Sequence, residues 1–192
     1  MSIDLPGFAD PVLGAQSAFR AILEAMSRPG AVQIVGIGLC PPAGLGEAAA
    51  ACLLTLIDAD TTLHLDTRFE PARDWIGFHC GAPFAADIAT ADFVLASRLP
   101  DLASLAAGSD DGPQDGATVI VQVAGFGRGV KLLLSGPGLK QPASLAVDGL
   151  SSDFTEIWAA NHARFPRGVD VILCAGNQLI ALPRSLRVMK EA

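Results

Sequence analysis

The feature that most constrains this fold is a pair of apolar runs near the carboxyl terminus. Within residues 165–184, VDVILC and QLIALP are joined by Ala175-Gly176-Asn177. A three-residue loop that contains glycine between two such runs predicts a β-hairpin. Arg167 and Arg184 bracket the unit, so the hairpin would bring them together at its open end. Either they bind a phosphate or a partner's carboxylate, or they are solvated strand ends. A period of two would give the hairpin one shared buried face: Val169, Val171, Leu173, Leu179 and Ala181.

The rest of the chain alternates helical and strand patterns. Asp10-Pro11 is typical of a helix start, and Arg28-Pro29-Gly30 of its end. Residues 47–57 are apolar nearly all round, which predicts a deeply packed helix. Gly127-Arg128 separates two strand-like runs and predicts a second hairpin. The pattern therefore favours one α/β domain over residues 1–192, with a mixed sheet and β-hairpins flanked by helices.

No linker-like segment divides the chain into two domains. Residues 1–9 and 189–192 carry no strong periodicity, and we expect loose termini there.

Composition excludes several classes of function. The chain has 192 residues, is 51% apolar and carries a net charge of −7. This balance disfavours nucleic acid and anionic membrane surfaces, because both need a basic face. The start lacks the basic region of a signal peptide, and the longest uncharged apolar run, residues 48–57, is too short to span a bilayer. We expect a cytoplasmic protein.

Neither cysteine nor histidine spacing indicates a metal site. Cys40, Cys52, Cys80 and Cys174 match no zinc pattern, and no two of the three histidines lie within five residues of each other. We expect reduced, mostly buried thiols and no metal. His79, in GFHCGAP, is either an acid–base group or a structural imidazole.

One local motif indicates a competing function, a dinucleotide-binding oxidoreductase. Gly44, Gly46 and Ala49 fit G-x-G-x-x-A at a helix start, and Asp66 follows the next strand pattern. In that motif the first glycine ends the strand directly, whereas Pro41-Pro42 intervene here. The alternative is a glycine-containing loop that leads into a core helix.

A second glycine pattern is a candidate anion site. LLLSGPGL places Gly136 and Gly138 at a strand end, where main-chain amides can bind an anion or the strand can simply stop. Lys140 follows, but a Schiff-base lysine also needs a desolvating pocket and a partner for the cofactor ring. We therefore expect no cofactor, and in particular no pyridoxal phosphate.

Several blocks in order resemble one family. They are AFRAILEAMSRPG, LLTLIDADT, GFHCGAPFAADIATADFVLA, GATVIVQV, LSGPGL and FPRGVDVILCAGNQLIALPR. From about residue 10 to 188, the chain resembles the PhnH family, whose members belong to the carbon–phosphorus lyase system of bacterial phosphonate breakdown. The GSDDGPQDG loop at 108–116 is more acidic than the family pattern, and Leu139 replaces an isoleucine-like position.

The resemblance implies a role beside partner subunits. It implies a core complex with subunits G, I and J, which the ATP-binding-cassette-like subunits K and L join transiently. With G, I and L, the family supports transfer of the ribose triphosphate of ATP to a phosphonate, with release of adenine. It also implies a fold similar to the large domain of pyridoxal-phosphate-dependent transferases without the cofactor, and a homodimer in isolation. It supplies no catalytic residues.

Two expectations follow for the isolated chain. A mean hydropathy of +0.42 and the apolar helix at 47–57 favour a homodimer. Turnover of MgATP with a phosphonate needs a bound, neutralised triphosphate, and a chain at −7 with only three lysines offers little for it. We expect no activity from this chain alone. A purely structural scaffold subunit remains the third hypothesis.

Overall fold

The computed structural model describes residues 4–191, which form four α-helices, several short 3-10 helices and nine strands within that range. The helices are α1 (Pro11–Ser27), α2 (Glu47–Leu56), α3 (Arg73–Cys80) and α4 (Phe154–His162). The strands are β1 (Gln33–Ile34), β2 (Leu63–Leu65), β3 (Phe93–Ala96), β4 (Thr118–Gln122), β5 (Gly125–Ser135), β6 (Ala143–Asp148), β7 (Asp170–Ala175), β8 (Gln178–Leu182) and β9 (Arg187–Lys190).

Six strands form a mixed sheet in the order β1-β8-β7-β4-β3-β2. β2, β3, β4 and β7 run parallel, whereas β8 pairs antiparallel with β7, and β1 pairs antiparallel with β8. The tight turn after β7 returns the chain at once, while parallel neighbours need a crossover. The predicted α/β domain with a mixed sheet flanked by helices is confirmed. A second, antiparallel sheet, β6-β5-β9, was not predicted.

The main sheet is buried on both faces. One face packs against α1, α2 and α3, and its core includes Ile120, Ile172 and Trp75. The other face packs against α4 and the second sheet, and its core includes Val119 and Trp158. Successive residues of a strand point to opposite faces. Burial on both faces therefore explains why these strands read as continuous apolar runs rather than as alternating patterns.

The closing hairpin is confirmed, but its predicted face is wrong. The turn contains two residues, Gly176-Asn177, with Gly176 at φ 57°. Val171 and Leu173 face the α4 side, whereas Leu179 and Ala181 face α1, α2 and α3. A turn shorter by one residue shifts the second strand by one position, and a shift of one exchanges its two faces.

The predicted hairpin at Gly127-Arg128 is also wrong. β4 pairs with β3 and β7, and the chain then crosses at Val123-Ala124 to the second sheet. Gly127–Gly129 instead forms a bulge inside β5, where Phe126 and Val130 both lie opposite Val147. The two runs belong to different sheets, so they do not pair with each other.

The terminal segments make contacts where the structure describes them, and the expected looseness of the termini stays a prediction. Leu5 O accepts a hydrogen bond from Trp75 Nε1 at 2.9 Å, which connects the segment before α1 to α3. At the other end, β9 pairs with β5 along its whole length. The predictions for residues 1–3 and 192 lie outside the described residues.

The apolar surface of helix α2 is largely buried against other parts of the same chain. Residues 48–53 are fully buried, so α2 does not present the free surface on which the sequence-based dimer argument rested. Large exposed apolar side chains lie on α1 instead, among them Phe19 and Leu23. The homodimer itself, and the likeness to pyridoxal-phosphate-dependent transferases, stay predictions.

Two of the quoted sequence motifs pack against each other. Gly138, in the loop after β5, has φ 85°, and a Cβ there would overlap the Ser27 carbonyl oxygen at the end of α1. A Cβ on Gly30, which follows α1, would lie 2.8 Å from Leu134 of β5. AMSRPG and LSGPGL therefore need their glycines at one shared contact.

Candidate functional site

A pocket lies where three parallel strands end. Its volume is about 520 Å³, and its lining comes from the segments after β2, β3, β4 and β6. The lining residues are Arg68, Ser97, Arg98, Leu99, Gln122, Val123, Ala124, Gly149, Leu150 and Ser151. Open α/β sheets bind ligands outside the carboxyl ends of their parallel strands. We call this concavity the carboxyl-edge pocket.

Asp66 connects two of the segments that form this edge of the sheet. Its Oδ2 accepts from the Ser97 main-chain N–H at 3.0 Å and from the Ser97 hydroxyl at 2.6 Å, while Oδ1 accepts from the Arg68 N–H at 3.1 Å. Partial burial works to raise the pKa of Asp66, but these bonds, with one from Thr67, outweigh it and lower that pKa to about 2. Asp66 therefore stays ionised and ties the segment after β2 to the segment after β3.

Gln122 fixes the opposite wall. Its Oε1 accepts from the Gly46 N–H at 2.7 Å, and its Nε2 donates to Gly44 O at 2.9 Å. The Ala48 N–H donates to Gly176 O at 2.8 Å. Protein groups thus occupy donors at the start of α2, and the last residue of β4 is locked in place.

The cations of the carboxyl-edge pocket are left unpaired. Arg68 and Arg98 are exposed, and within residues 4–191 neither guanidinium has an ion pair or a hydrogen bond. None of the lining residues is Asp, Glu, His or Lys. The pocket therefore offers hydrogen-bond donors and positive charge but no general base, which suits binding rather than acid–base catalysis.

The dinucleotide motif lacks the context it needs. Gly44 and Gly46 follow β1, a two-residue edge strand that is antiparallel to its neighbour, rather than a central parallel strand. The amides at the start of α2 bond to protein atoms, and Asp66 bonds to Ser97. The glycines shape a loop that leads into a core helix, and this arrangement does not support an oxidoreductase.

Arg167 and Arg184 lie at the opposite edge of the sheet. Arg184 Nη2 and Nε lie 2.5 and 3.1 Å from Asp170 Oδ2, and Nη1 donates to Pro113 O at 2.5 Å. Arg167 Nε lies 3.1 Å from Asp110 Oδ1. Both arginines therefore contact the 108–116 loop, and Arg184 also contacts Asp170, the first residue of β7. Binding to a phosphate or to another chain's carboxylate stays a prediction.

His79 lies beside the amino-terminal segment. Its Nε2 is 3.0 Å from Leu5 O, and its ring contacts the rings of Trp75 and Phe78. These contacts agree with a structural role for the imidazole ring of His79. An acid–base role stays a prediction, and the carboxyl-edge pocket has no contact with His79.

Gly136 and Gly138 lie in the loop after β5. Gly136 lines a second concavity of about 520 Å³ with His162, Phe165 and Arg187. The Leu139 N–H donates back to Gly136 O at 3.2 Å, which closes the turn. The proposed anion binding by these two glycines is untested. Their left-handed backbone is needed for the turn in any case.

Metal and thiol chemistry has little basis in the described part of the chain. Among residues 4–191, no three His, Cys, Asp or Glu side chains cluster closely enough to hold a metal ion. Burial raises the pKa of the Cys80 thiol to about 12. A hydrogen bond with Cys52, together with burial, raises the pKa of Cys174 well above its usual range. The predicted absence of metal and cofactor stays a prediction.

Comparison with known proteins shows one family over nearly the whole chain. The model of the bacterial phosphonate metabolism protein (PhnH) family matches residues 6–189. The chain is 37% identical, over 189 residues, to the alpha-D-ribose 1-methylphosphonate 5-triphosphate synthase subunit PhnH of Rhizobium meliloti (strain 1021). The match covers 96% of this chain and 94% of that protein.

A second relative has a related name. The chain is 34% identical over 178 residues to HtxG of Stutzerimonas stutzeri, which is named as a candidate C–P lyase subunit protein. The match covers 90% of this chain and 85% of that protein.

No helix in residues 4–191 is long and apolar enough to cross a membrane. The family resemblance drawn from the sequence is confirmed, and the chain belongs to the PhnH family of bacterial phosphonate metabolism proteins.

Proposed function

We propose that this chain is a subunit of a carbon–phosphorus lyase core complex that breaks down organic phosphonates. The observation that carries the proposal is the match to PhnH over residues 6–189, together with 37% identity to a named synthase subunit. The proposed partners are subunits G, I and J, with K and L joining transiently. The proposed compartment is the cytoplasm.

Within this assembly, the chain supports transfer of the ribose triphosphate of ATP to a phosphonate with release of adenine. The carboxyl-edge pocket has no general base among its lining residues, and the described residues contain no cluster fit to hold a magnesium ion. In this proposal, other subunits activate the leaving adenine and neutralise most of the triphosphate charge. The isolated chain has no turnover of its own.

We also propose a homodimer in isolation, with the outer face of α1 as its contact surface. Val12, Phe19 and Leu23 lie on one helical stripe and are 76%, 51% and 56% exposed. A twofold interface uses the same patch on both copies, so a helix stripe can pack against its own symmetry mate. A standard interface buries roughly 800 Å² per partner, and large free apolar side chains are the surface such contacts use.

Co-purification tests the assembly. A tagged chain, isolated under gentle lysis from cells growing on methylphosphonate, is expected to bring the other core subunits with it. The same chain from cells growing on phosphate provides the comparison. Recovery of the chain alone from phosphonate-grown cells would contradict the proposed function.

A further inference from the structure

We propose that the carboxyl-edge pocket binds a small organic anion that carries a phosphate or phosphonate group, with Arg68 and Arg98 as the two groups that hold it. The inference goes beyond the proposed function, because it assigns a ligand to this chain itself. It concerns the chain in isolation and does not depend on the complex.

The charges at this edge are the first argument. Arg28, Arg73, Arg167 and Arg184 each have a carboxylate partner in the structure. Arg68 and Arg98 are among the six arginines that have none within the described residues, and they are the two that line the carboxyl-edge pocket of a chain with a net charge of −7. Two unpaired guanidiniums beside one concavity create a local positive potential in an acidic protein.

The acid closest in sequence to Arg68 on its amino-terminal side forms no ion pair with either guanidinium. Asp66 precedes Arg68 by two residues, but its carboxylate is directed to the Ser97 hydroxyl and to the N–H groups of Ser97 and Arg68. No acidic side chain lines the pocket itself. The carboxylate thus holds two strand ends in position and leaves both guanidiniums available for a ligand.

The positions of the two arginines favour a ligand group that can accept hydrogen bonds on two of its sides. Arg68 and Arg98 follow β2 and β3, which are parallel neighbours in the register Leu65 to Leu95. A guanidinium presents a planar fork of donors that matches the oxygens of phosphate or phosphonate. Two forks from adjacent strand ends can therefore hold different oxygens of one tetrahedral group.

The size and walls of the pocket favour an organic anion over a bare ion. A volume of about 520 Å³ falls within the range of small-molecule sites, roughly 300–1,000 Å³. Leu99, Val123 and Leu150 supply apolar wall, and Ser151 adds a hydroxyl. The arginines would hold the anionic end, while these walls contact the rest of the molecule. A concave site of this size suits a small ligand better than a flat protein contact.

Titration calorimetry on the full chain tests the inference with three probes. They are inorganic phosphate, methylphosphonate and ribose 5-phosphate, so the arms separate the bare ion, the phosphonate and the sugar phosphate. We expect saturable binding of at least one organic probe, tighter than that of inorganic phosphate. Arg68→Ala and Arg98→Ala should each weaken it about tenfold or more, and Arg98→Lys less, because lysine keeps the charge but loses the fork.

Arg20→Ala is the matched control. Arg20 is an exposed arginine on α1, and its substitution removes the same charge at a position that does not line the pocket. Its binding constant should equal that of the wild type, and thermal melts should show that all variants are folded. Absence of binding by the wild type would overturn the inference, as would an equal loss in Arg20→Ala. If Arg68→Ala and Arg98→Ala abolish assembly with the other subunits while the wild type binds no probe, the surface is a protein contact and the inference fails.

Discussion

At the residue scale, two arginines with similar sequence contexts have different environments. Arg184 is 12% exposed and Asp170 is 18% exposed, and the pair has an added bond to Pro113 O. Arg167 and Asp110 are 46% and 79% exposed. A salt bridge at the surface contributes little to stability, whereas removing one partner of a buried pair leaves an uncompensated charge.

Arg184→Ala should therefore lower the free energy of unfolding by about 3 kcal/mol, since it removes the guanidinium from Asp170 Oδ2 and leaves Pro113 O without this donor. Arg167→Ala should lower it by less than about 1 kcal/mol. Urea unfolding followed by circular dichroism measures both. Equal effects would show that the environments of the two arginines do not differ as described.

Asp66 makes stability depend on pH in the acid range. Its folded-state pKa of about 2 lies below its ordinary value of 3.8, so the folded chain binds the proton less readily than the unfolded chain. The stabilising contribution of Asp66 is then complete above about pH 4 and disappears as the pH falls towards 2. In Asp66→Asn the difference in unfolding free energy from the wild type should shrink over this interval. A difference that stays constant from pH 5 to 2.5 would contradict the account.

The residues of the carboxyl-edge pocket were missed in the sequence, although a signal was present. Arg68 lies three residues past the end of β2, in LHLDTR, and Arg98 lies two residues past the end of β3, in VLASR. Strand order decides whether two such ends are neighbours, and β2 and β3 are far apart in sequence. The hairpin arginines and the glycines after β5 lie elsewhere, whereas the dinucleotide-like motif borders the pocket, because Gly44 and Gly46 bond to Gln122 and Asp66 bonds to Ser97.

At the element scale, local chemistry predicted single elements well. Asp10 caps α1 as expected, since its Oδ1 accepts from the Val12 and Leu13 N–H groups at 3.0 Å. The move from one sheet to the other at Val123-Ala124 was not predictable, because an apolar run does not reveal which strands it will pair with. The polar strand β9 was missed for lack of an apolar pattern.

The contact between the loop after β5 and the end of α1 can be tested with one pair of glycines. Gly138 and Gly127 have similar φ angles, 85° and 88°, but a Cβ on Gly138 would overlap Ser27 O, whereas Gly127 faces open space. Gly127→Ala should cost about 1 kcal/mol through backbone strain alone. Gly138→Ala should cost about 3 kcal/mol, because overlap adds to that strain.

Chemical denaturation measures the free energy of unfolding of both variants. The difference between their losses isolates the packing contact, because the backbone strain is similar in the two. Similar losses for Gly138→Ala and Gly127→Ala would mean that the loop moves away from α1 at little cost.

At the scale of the whole molecule, the proposed dimer is tested on α1. The wild-type chain of 19.7 kDa should scatter light as a species of twice that mass at high micromolar concentration. Leu23→Glu places a charge in the middle of the exposed stripe and should shift the chain to monomer. Phe78→Glu, at another exposed apolar position, is the control and should leave the dimer intact. A monomeric wild type would reject the dimer, and an unchanged Leu23→Glu would reject the surface.

The two relatives are named as subunits, and the proposed function gives this chain the same kind of role within a larger assembly. The described residues form an α/β domain whose carboxyl-edge pocket is lined by two arginines and no acidic side chain. Two arginines at one concavity suit the binding and positioning of an anionic group.

Adenine release from MgATP and methylphosphonate tests the central claim most directly. Subunits G, I and L are combined with and without this chain, and adenine is quantified over time, with the chain alone as a third sample. The account predicts release only when the chain and the other subunits are together. Release by the chain alone, or undiminished release by the other subunits without it, would contradict the account.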